Sequence, residues 1–197
     1  MDCIKMVAAM NPCRCGYYGD EEHECRCTAS EIERYRSRIS GPIMDRIDLH
    51  ITLRNVRYRE LTGGTSITSA QMREQVERAR RIQEERFRGT GIQRNGQLDS
   101  RMAERFIRFD EDAQSRLGML YDTYALNPRT FLKIRKVART IADLEGAEQV
   151  RWEHIAEAVQ YREEPPGRRS TVTETVSSAG EQAGKWKRRG GAEGWTE

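Results

Sequence analysis

The chain has no long apolar run. Nothing in its 197 residues approaches the ~20 apolar residues a membrane-spanning helix needs, which excludes a helical membrane protein. An amino-terminal apolar stretch with a small-residue cleavage site is also lacking, so a secretory leader is not expected. A cytoplasmic location is therefore expected. No internal repeat is present, so repeat arrays are set aside. A large excess of one charge is missing too: the formal net charge is only +3, and bulk charge alone does not point to nucleic acid.

What the chain does have is charge of both signs. Charged residues make up 33% and hydrophobic ones 37%, polar for a globular protein but not enough to read as disordered throughout. Arginine greatly outnumbers lysine, and the guanidinium suits bidentate phosphate contacts. The other reading of these arginines is a solvated, salt-bridged helical surface.

Residues 3–9 form an apolar run that reads as a buried strand. Asn11-Pro12 ends it, because proline cannot donate to a ladder and restricts the residue before it. This strand begins within two residues of Met1, an abrupt start that leads us to expect a preceding segment. Thr28 or Ser30 can cap a helix to about Arg38, with Ile32, Tyr35 and Ile39 on one face. Ser40-Gly41-Pro42 breaks it, and a short helical turn runs from Ile43 to Arg46. Residues 48–53 alternate Leu49, Ile51 and Leu53 with polar residues, a half-buried strand pattern.

Thr68 and Gln71 make a capping box for a helix to about Arg88, with Met72, Val76, Ala79 and Ile82 as its stripe. Asp99 caps a short helix holding Met102, Phe106 and Ile107. Asp110 caps the next, with Ala113, Leu117, Leu120, Tyr121 and Tyr124 facing inward. Asn127 and Pro128 open another, striped by Phe131, Ile134, Val137, Ala138, Ile141 and Leu144 and closed by Gly146. A last helix covers about 151–162. The expected fold is an α/β fragment of two strands plus a helix, followed by a mostly α-helical domain. The domain reading is a core over 1–56 with a Cys-rich insert at 13–27, a linker at 57–67, a helical domain at 68–162 and a disordered tail at 163–197. Lys185-Trp-Lys-Arg-Arg189 in that tail is a basic cluster that could touch nucleic acid, or simply be solvated.

Cys13-x-Cys15 and Cys25-x-Cys27 offer four soft ligands, the number a closed structural zinc site needs. Zn–S bonds of about 2.3 Å put tetrahedral sulfurs about 3.8 Å apart, reachable by a Cys-x-Cys pair only if the backbone hooks. Gly16 and Gly19 supply freedom nearby, and His23 is a spare ligand. Two disulfides or four free thiols are the alternatives. Cys3 reads as merely buried. Asn11 closes a strand, as a turn residue or a polar group delivered to a sheet edge. Arg46 and Arg129 either pair with a carboxylate such as Asp45 or Asp48, or serve phosphate. Arg129 lies in the first turn of its helix, where the dipole prefers anions.

The runs VAAMNPCRCGYYGDEEHECRC, RYRSRISGPIMDRIDLHI, FLKIRKVARTIADLEG and HIAEAVQYR resemble the magnesium-chelatase-like AAA+ ATPases, specifically the YifB/ComM family. The resemblance covers about 3–162. It implies the carboxyl-terminal part of a AAA+ P-loop module, in proteins that form homo-hexameric rings and hydrolyse ATP with Mg2+. One member is a DNA branch-migration helicase of natural transformation. The resemblance makes Asn11 the sensor 1 residue that orients the attacking water. It makes Arg46, in GPIMDRIDL, the arginine finger reaching a neighbouring subunit's nucleotide. It makes Arg129 the sensor 2 arginine on the phosphates of its own subunit.

The sequence departs from the family pattern at Arg14, at Ile43-Met44 and at Asn127-Pro128, none of which removes a functional residue. The larger departure is a lack. No G-x-x-x-x-G-K-[ST] phosphate loop occurs; the only Gly-Lys, Gly184-Lys185, is followed by tryptophan. No strand ending in an Asp-Glu pair is present to hold magnesium. The upstream half of the AAA+ module is thus an expected partner, and the chain alone is expected to be inactive. A zinc-stapled nucleic-acid-binding module and an inactive truncated product are the alternative readings.

Overall fold

A computed structural model describes residues 6–20, 22–53, 67–124 and 126–162. Capping decides where its helices begin. Thr28, Thr68, Asp99, Asp110 and Asn127 each stand in extended backbone and accept a hydrogen bond from the amide three residues on. The helices they open are α1 (Ala29–Arg36), α3 (Ser69–Arg86), α4 (Ser100–Phe106), α5 (Glu111–Thr123) and α6 (Pro128–Glu145). Between α1 and α3 lies the short α2 (Gly41–Met44), with proline in its first turn. The last helix is α7 (Trp152–Gln160). Thr28 with Glu31 and Thr68 with Gln71 form reciprocal capping boxes. Gly146 ends α6 at φ 82°, the left-handed conformation glycine adopts freely.

α6 is the axis of the bundle, and α3, α4, α7 and the 3-10 turn Asn95–Gln97 pack on it. Its 3.6-residue pattern buries Ile134, Ala138 and Ala142 against Leu117, Leu120, Ile155, Ala158 and Val159. Phe87, Leu98 and Ile107 complete the core. Two connections are locked where Val150 N–H donates to Arg108 O (2.9 Å) and Asp110 N–H to Val150 O (3.1 Å). No helix among the described residues is long and apolar enough to cross a membrane.

Both expected strands need correction. Among the described residues none belongs to a strand; only an isolated Phe109–Val150 bridge is present. Residues 6–10 and 48–53 are irregular and bare, with Val7 99% and Leu53 87% exposed. The period-2 pattern at 48–53 encodes which face a strand would bury. A strand also needs a neighbour's amides and carbonyls, and no described segment supplies them. The expected stripe of α3 is buried only towards its end: Ala79 is covered, whereas Met72 (52%) and Val76 face outward. The linker (save Ile67), the tail with its basic cluster, and Cys3 lie outside the described residues.

A candidate metal centre and three exposed polar residues

The Cys-x-Cys pair does hook. Gly16 N–H donates to Cys13 O at 3.2 Å, and Gly16 and Gly19 take φ of 87° and 83°. The turn gathers Cys13, Cys15, Cys25 and Cys27, whose sulfurs all lie within 4.8 Å of one another. Cys13 and Cys15 are 3.3 Å apart, Cys13 and Cys25 3.7 Å, and Cys15 and Cys25 3.5 Å. These separations far exceed a disulfide's ~2.05 Å and approach the edge of a ZnS4 tetrahedron, about 3.8 Å. The cysteines are free thiols and disulfides are excluded in this structure.

Electrostatics fit a cation. The Cys15 thiol is lowered to about 6, chiefly by the Tyr17 amide with help from Cys13. Cys25 is pushed up to about 12: the Cys27 amide pulls it down, but burial and the neighbouring sulfurs outweigh that. One thiolate thus suppresses the next, and four ionise together only around a positive ion. The cluster could hold a metal such as zinc, in a closed site with no open coordination position. His23 is not part of it. Its ring stacks on Tyr17 (4.9 Å) and its Nδ1 lies 3.3 Å from Asp20 Oδ1. Arg36 Nε donates to Pro12 O (3.1 Å), and its guanidinium lies over the Tyr18 ring, tying α1 to the loop.

The three remaining candidates are exposed and lie on separate segments. Asn11 precedes the cysteine turn. Arg46 follows α2 and, among the described residues, donates only to the Pro42 carbonyl, at 3.1 Å. The alternative ion pair with Asp48 is not made, because that carboxylate meets Lys133 Nζ at 2.9 Å. Arg129 stands in the first turn of α6 with no ion pair among the described residues. Asn11, Arg46 and Arg129 do not touch one another here. Lys133, one turn after Arg129, does reach the backbone on both sides of Arg46, at Asp45 O and Ile47 O.

Sequence reasoning missed a buried ionic cluster. Asp143 has no exposed side-chain surface, and Arg139 is 1% exposed. Asp143 accepts from Arg86, from Arg139 Nε (3.0 Å) and from Asn95 Nδ2 (2.8 Å). Arg139 also donates to Glu148 O (2.7 Å) and Ala147 O (2.5 Å). Burial pulls the Arg139 guanidinium below its usual value, against the upward pull of Asp143. The one available signal was the i,i+4 spacing of Arg139 and Asp143, which is equally common on solvated faces.

The described residues form a helical bundle that carries a four-thiol loop, and the comparisons give the family. The model described as magnesium chelatase, subunit ChlI C-terminal, matches residues 66–162, and that described as magnesium chelatase, subunit ChlI, matches residues 3–61. The competence protein ComM of Haemophilus influenzae is 38% identical over 161 residues, 81% of this chain and 30% of that protein. YifB of Escherichia coli K12 is 32% identical over 164 residues, again 81% of this chain and 31% of that protein. The mycobacterial protein Rv2897c is 28% identical over 160 residues, covering 81% and 31%. The chain belongs to the magnesium-chelatase-like YifB/ComM family. It spans about 30% of the length of the curated relatives it matches.

Proposed function

We propose that this chain is the carboxyl-terminal part of a hexameric AAA+ ATPase, contributing three polar residues to ATP binding and hydrolysis. Asn11 is the sensor that orients the attacking water. Arg46 is the finger that meets a neighbouring subunit's nucleotide. Arg129 contacts the phosphates of its own subunit. ATP and Mg2+ are held mainly by an upstream segment that supplies the phosphate loop, and zinc on Cys13, Cys15, Cys25 and Cys27 staples the insert at 13–27. The proposed division is a core part at 1–56, a linker at 57–67, the helical domain at 68–162 and a tail at 163–197. The assembly works in the cytoplasm and remodels DNA, as in branch migration.

The observation that carries this reading is the state of two arginines. Arg86, Arg135 and Arg139 of the bundle meet carboxylates. Arg46 and Arg129 are exposed and, like other surface arginines such as Arg73 and Arg101, meet none among the described residues; the family resemblance is what selects these two. A planar guanidinium without an anion suits the charge that spreads over a transferring phosphoryl group. Arginine fingers are typically worth about 10³–10⁵ in rate.

The test is reconstitution with the amino-terminal remainder of a relative such as YifB. The 197-residue chain alone should show no ATPase activity. The reconstituted assembly should hydrolyse ATP, and Arg46→Ala should lower kcat by about a thousandfold or more. Activity of the isolated chain above an Arg46→Ala/Arg129→Ala control overturns the reading.

A second reading has one supporting feature. Arg14, Arg34, Arg38 and Tyr35 line an open cleft of about 470 Å3 beside the cysteine loop, with Glu31 on its wall. Such a surface fits a nucleic-acid backbone. Salt-dependent DNA binding by the isolated chain, lost in Arg34→Ala/Arg38→Ala, would favour a zinc-stapled nucleic-acid-binding module.

A further inference from the structure

The 45–50 turn is anchored far more strongly than an exposed turn requires. An ammonium has three donors, and Lys133 Nζ uses all of them. It donates to Asp45 O at 2.7 Å and to Ile47 O at 3.2 Å, and pairs with Asp48 Oδ1 at 2.9 Å. Arg162 Nη1, beyond the end of α7, donates to the same Ile47 carbonyl at 2.7 Å. The His50 amide donates to Tyr161 O at 2.7 Å. The Lys133 side chain is only 13% exposed but Asp48 is 70% exposed, so the solvated ion pair adds little and the anchor lies chiefly in the two backbone carbonyls that the ammonium meets. The carbonyls at the end of α2 are where the helix dipole favours a cation. A compact ammonium with rotatable donors can converge on three oxygens in a way that a planar guanidinium cannot.

The two carbonyls bracket Arg46. Lys133 also sits one helical turn after Arg129, on the same side of α6. We propose that Lys133 is a positioning residue for Arg46: it fastens the turn that carries this guanidinium to α6, so that Arg46 and Arg129 keep one spatial relation. Any displacement of α6 that Arg129 transmits from a bound phosphate then moves Arg46 as well. The role assigned to Arg46 rests on the function proposed above, whereas the clamp itself does not.

The test has two arms. In the 197-residue chain, hydrogen exchange at the His50 amide is compared between wild type and Lys133→Met, which keeps the apolar stem. Losing a charge-assisted anchor should speed that exchange about ten- to a hundredfold, with the thermal midpoint and exchange in α7 unchanged. Unchanged His50 exchange overturns the clamp. Should Lys133→Met lower the midpoint, Arg162→Met must give the same local acceleration, and its failure to do so also overturns the clamp. In the reconstituted assembly, Lys133→Met should lower kcat about ten- to a hundredfold with KM for ATP unchanged, and Lys133→Arg should recover part of it. If Arg46→Ala lowers kcat and Lys133→Met does not, the positioning role is overturned. If Arg46→Ala itself leaves kcat intact, the proposed function falls with the positioning role, and accelerated His50 exchange still identifies the clamp.

Discussion

Asp143 gives the sharpest test of what holds the bundle together. Its carboxylate faces no solvent and collects Arg86 Nη1 (2.9 Å) and Nη2, Arg139 Nε (3.0 Å) and Asn95 Nδ2 (2.8 Å). Asp143→Ala leaves two guanidinia without their anion. Arg86 is 16% exposed and can regain some water, but Arg139 at 1% cannot. Arg139 keeps the Glu148 and Ala147 carbonyls, neutral acceptors that do not balance its charge. Breaking a buried pair in this way costs about 3–5 kcal/mol. For a domain of this size each kcal/mol is about 4–8 °C, so the midpoint should fall by roughly 12 °C or more. Urea titration followed by far-UV circular dichroism measures it, as a lower midpoint at an unchanged slope. Replacing all three ions together (Arg86→Met, Arg139→Leu, Asp143→Leu) should restore most of the loss, because the desolvation cost leaves with them. The exposed Arg116–Asp112 pair (2.8 Å) is the control, and Asp112→Ala should change almost nothing. A cost below about 1 kcal/mol for Asp143→Ala would refute the reasoning.

The chain purified with zinc present should carry one equivalent, measured by atomic emission. Cys13→Ser or Cys25→Ser should abolish it, whereas His23→Ala should not, since His23 stands apart from the sulfurs. Loading the metal should release protons, and the release should be seen in weakly buffered solution. Gly146→Ala should destabilise the bundle by about 1 kcal/mol: no atom lies within 4 Å of an added Cβ, but φ is +82°. Glu145 should contribute to acid sensitivity. Burial raises its pKa, but hydrogen bonds from His154 and Arg151 outweigh that and hold it below the usual carboxylate value. Its stabilisation is therefore complete above the unfolded pKa of about 4.3 and is lost as pH falls through the lower folded value. The urea midpoint of Glu145→Gln should thus depend less on pH between about 5 and 3 than that of the wild type.

Much of the bundle was legible because its signals are local. Thr68 and Gln71 lie three residues apart, and so do a capping side chain and the amide it satisfies, so α3 starts where the sequence says. Asn127-Pro128 and Gly146 mark both ends of α6 for the same reason. The cysteine loop was legible in composition, and the glycines that let it hook were visible beside it. The strands expected at 3–9 and 48–53 are not seen among the described residues, because an apolar or alternating run is local and pairing is not. Leu49, Ile51 and Leu53 carry the pattern of a buried face and have nothing here to bury it against. The outward face of Met72 and Val76 has a similar cause: an amphipathic stripe says which side would be covered, not whether a partner arrives.

The sequence by itself therefore determined most helix starts, though not the short α2, which was expected at 43–46 and lies at Gly41–Met44; it also determined the four cysteines that could hold a metal, and the family. Each depends on residues a few positions apart, or on a pattern a local window contains. Only the tertiary structure decided which charges are spent. Arg86 meets Asp143 across 57 positions, and Arg162 meets the Ile47 carbonyl across 115. Lys133 takes the Asp48 carboxylate, one of the alternative partners read for Arg46. Charge has no periodicity that names its partner, and a guanidinium at the surface reads the same in sequence as one in the core. Packing α3, α4 and α7 on α6 buried some of these ions, whereas Arg46 and Arg129 meet no carboxylate among the described residues.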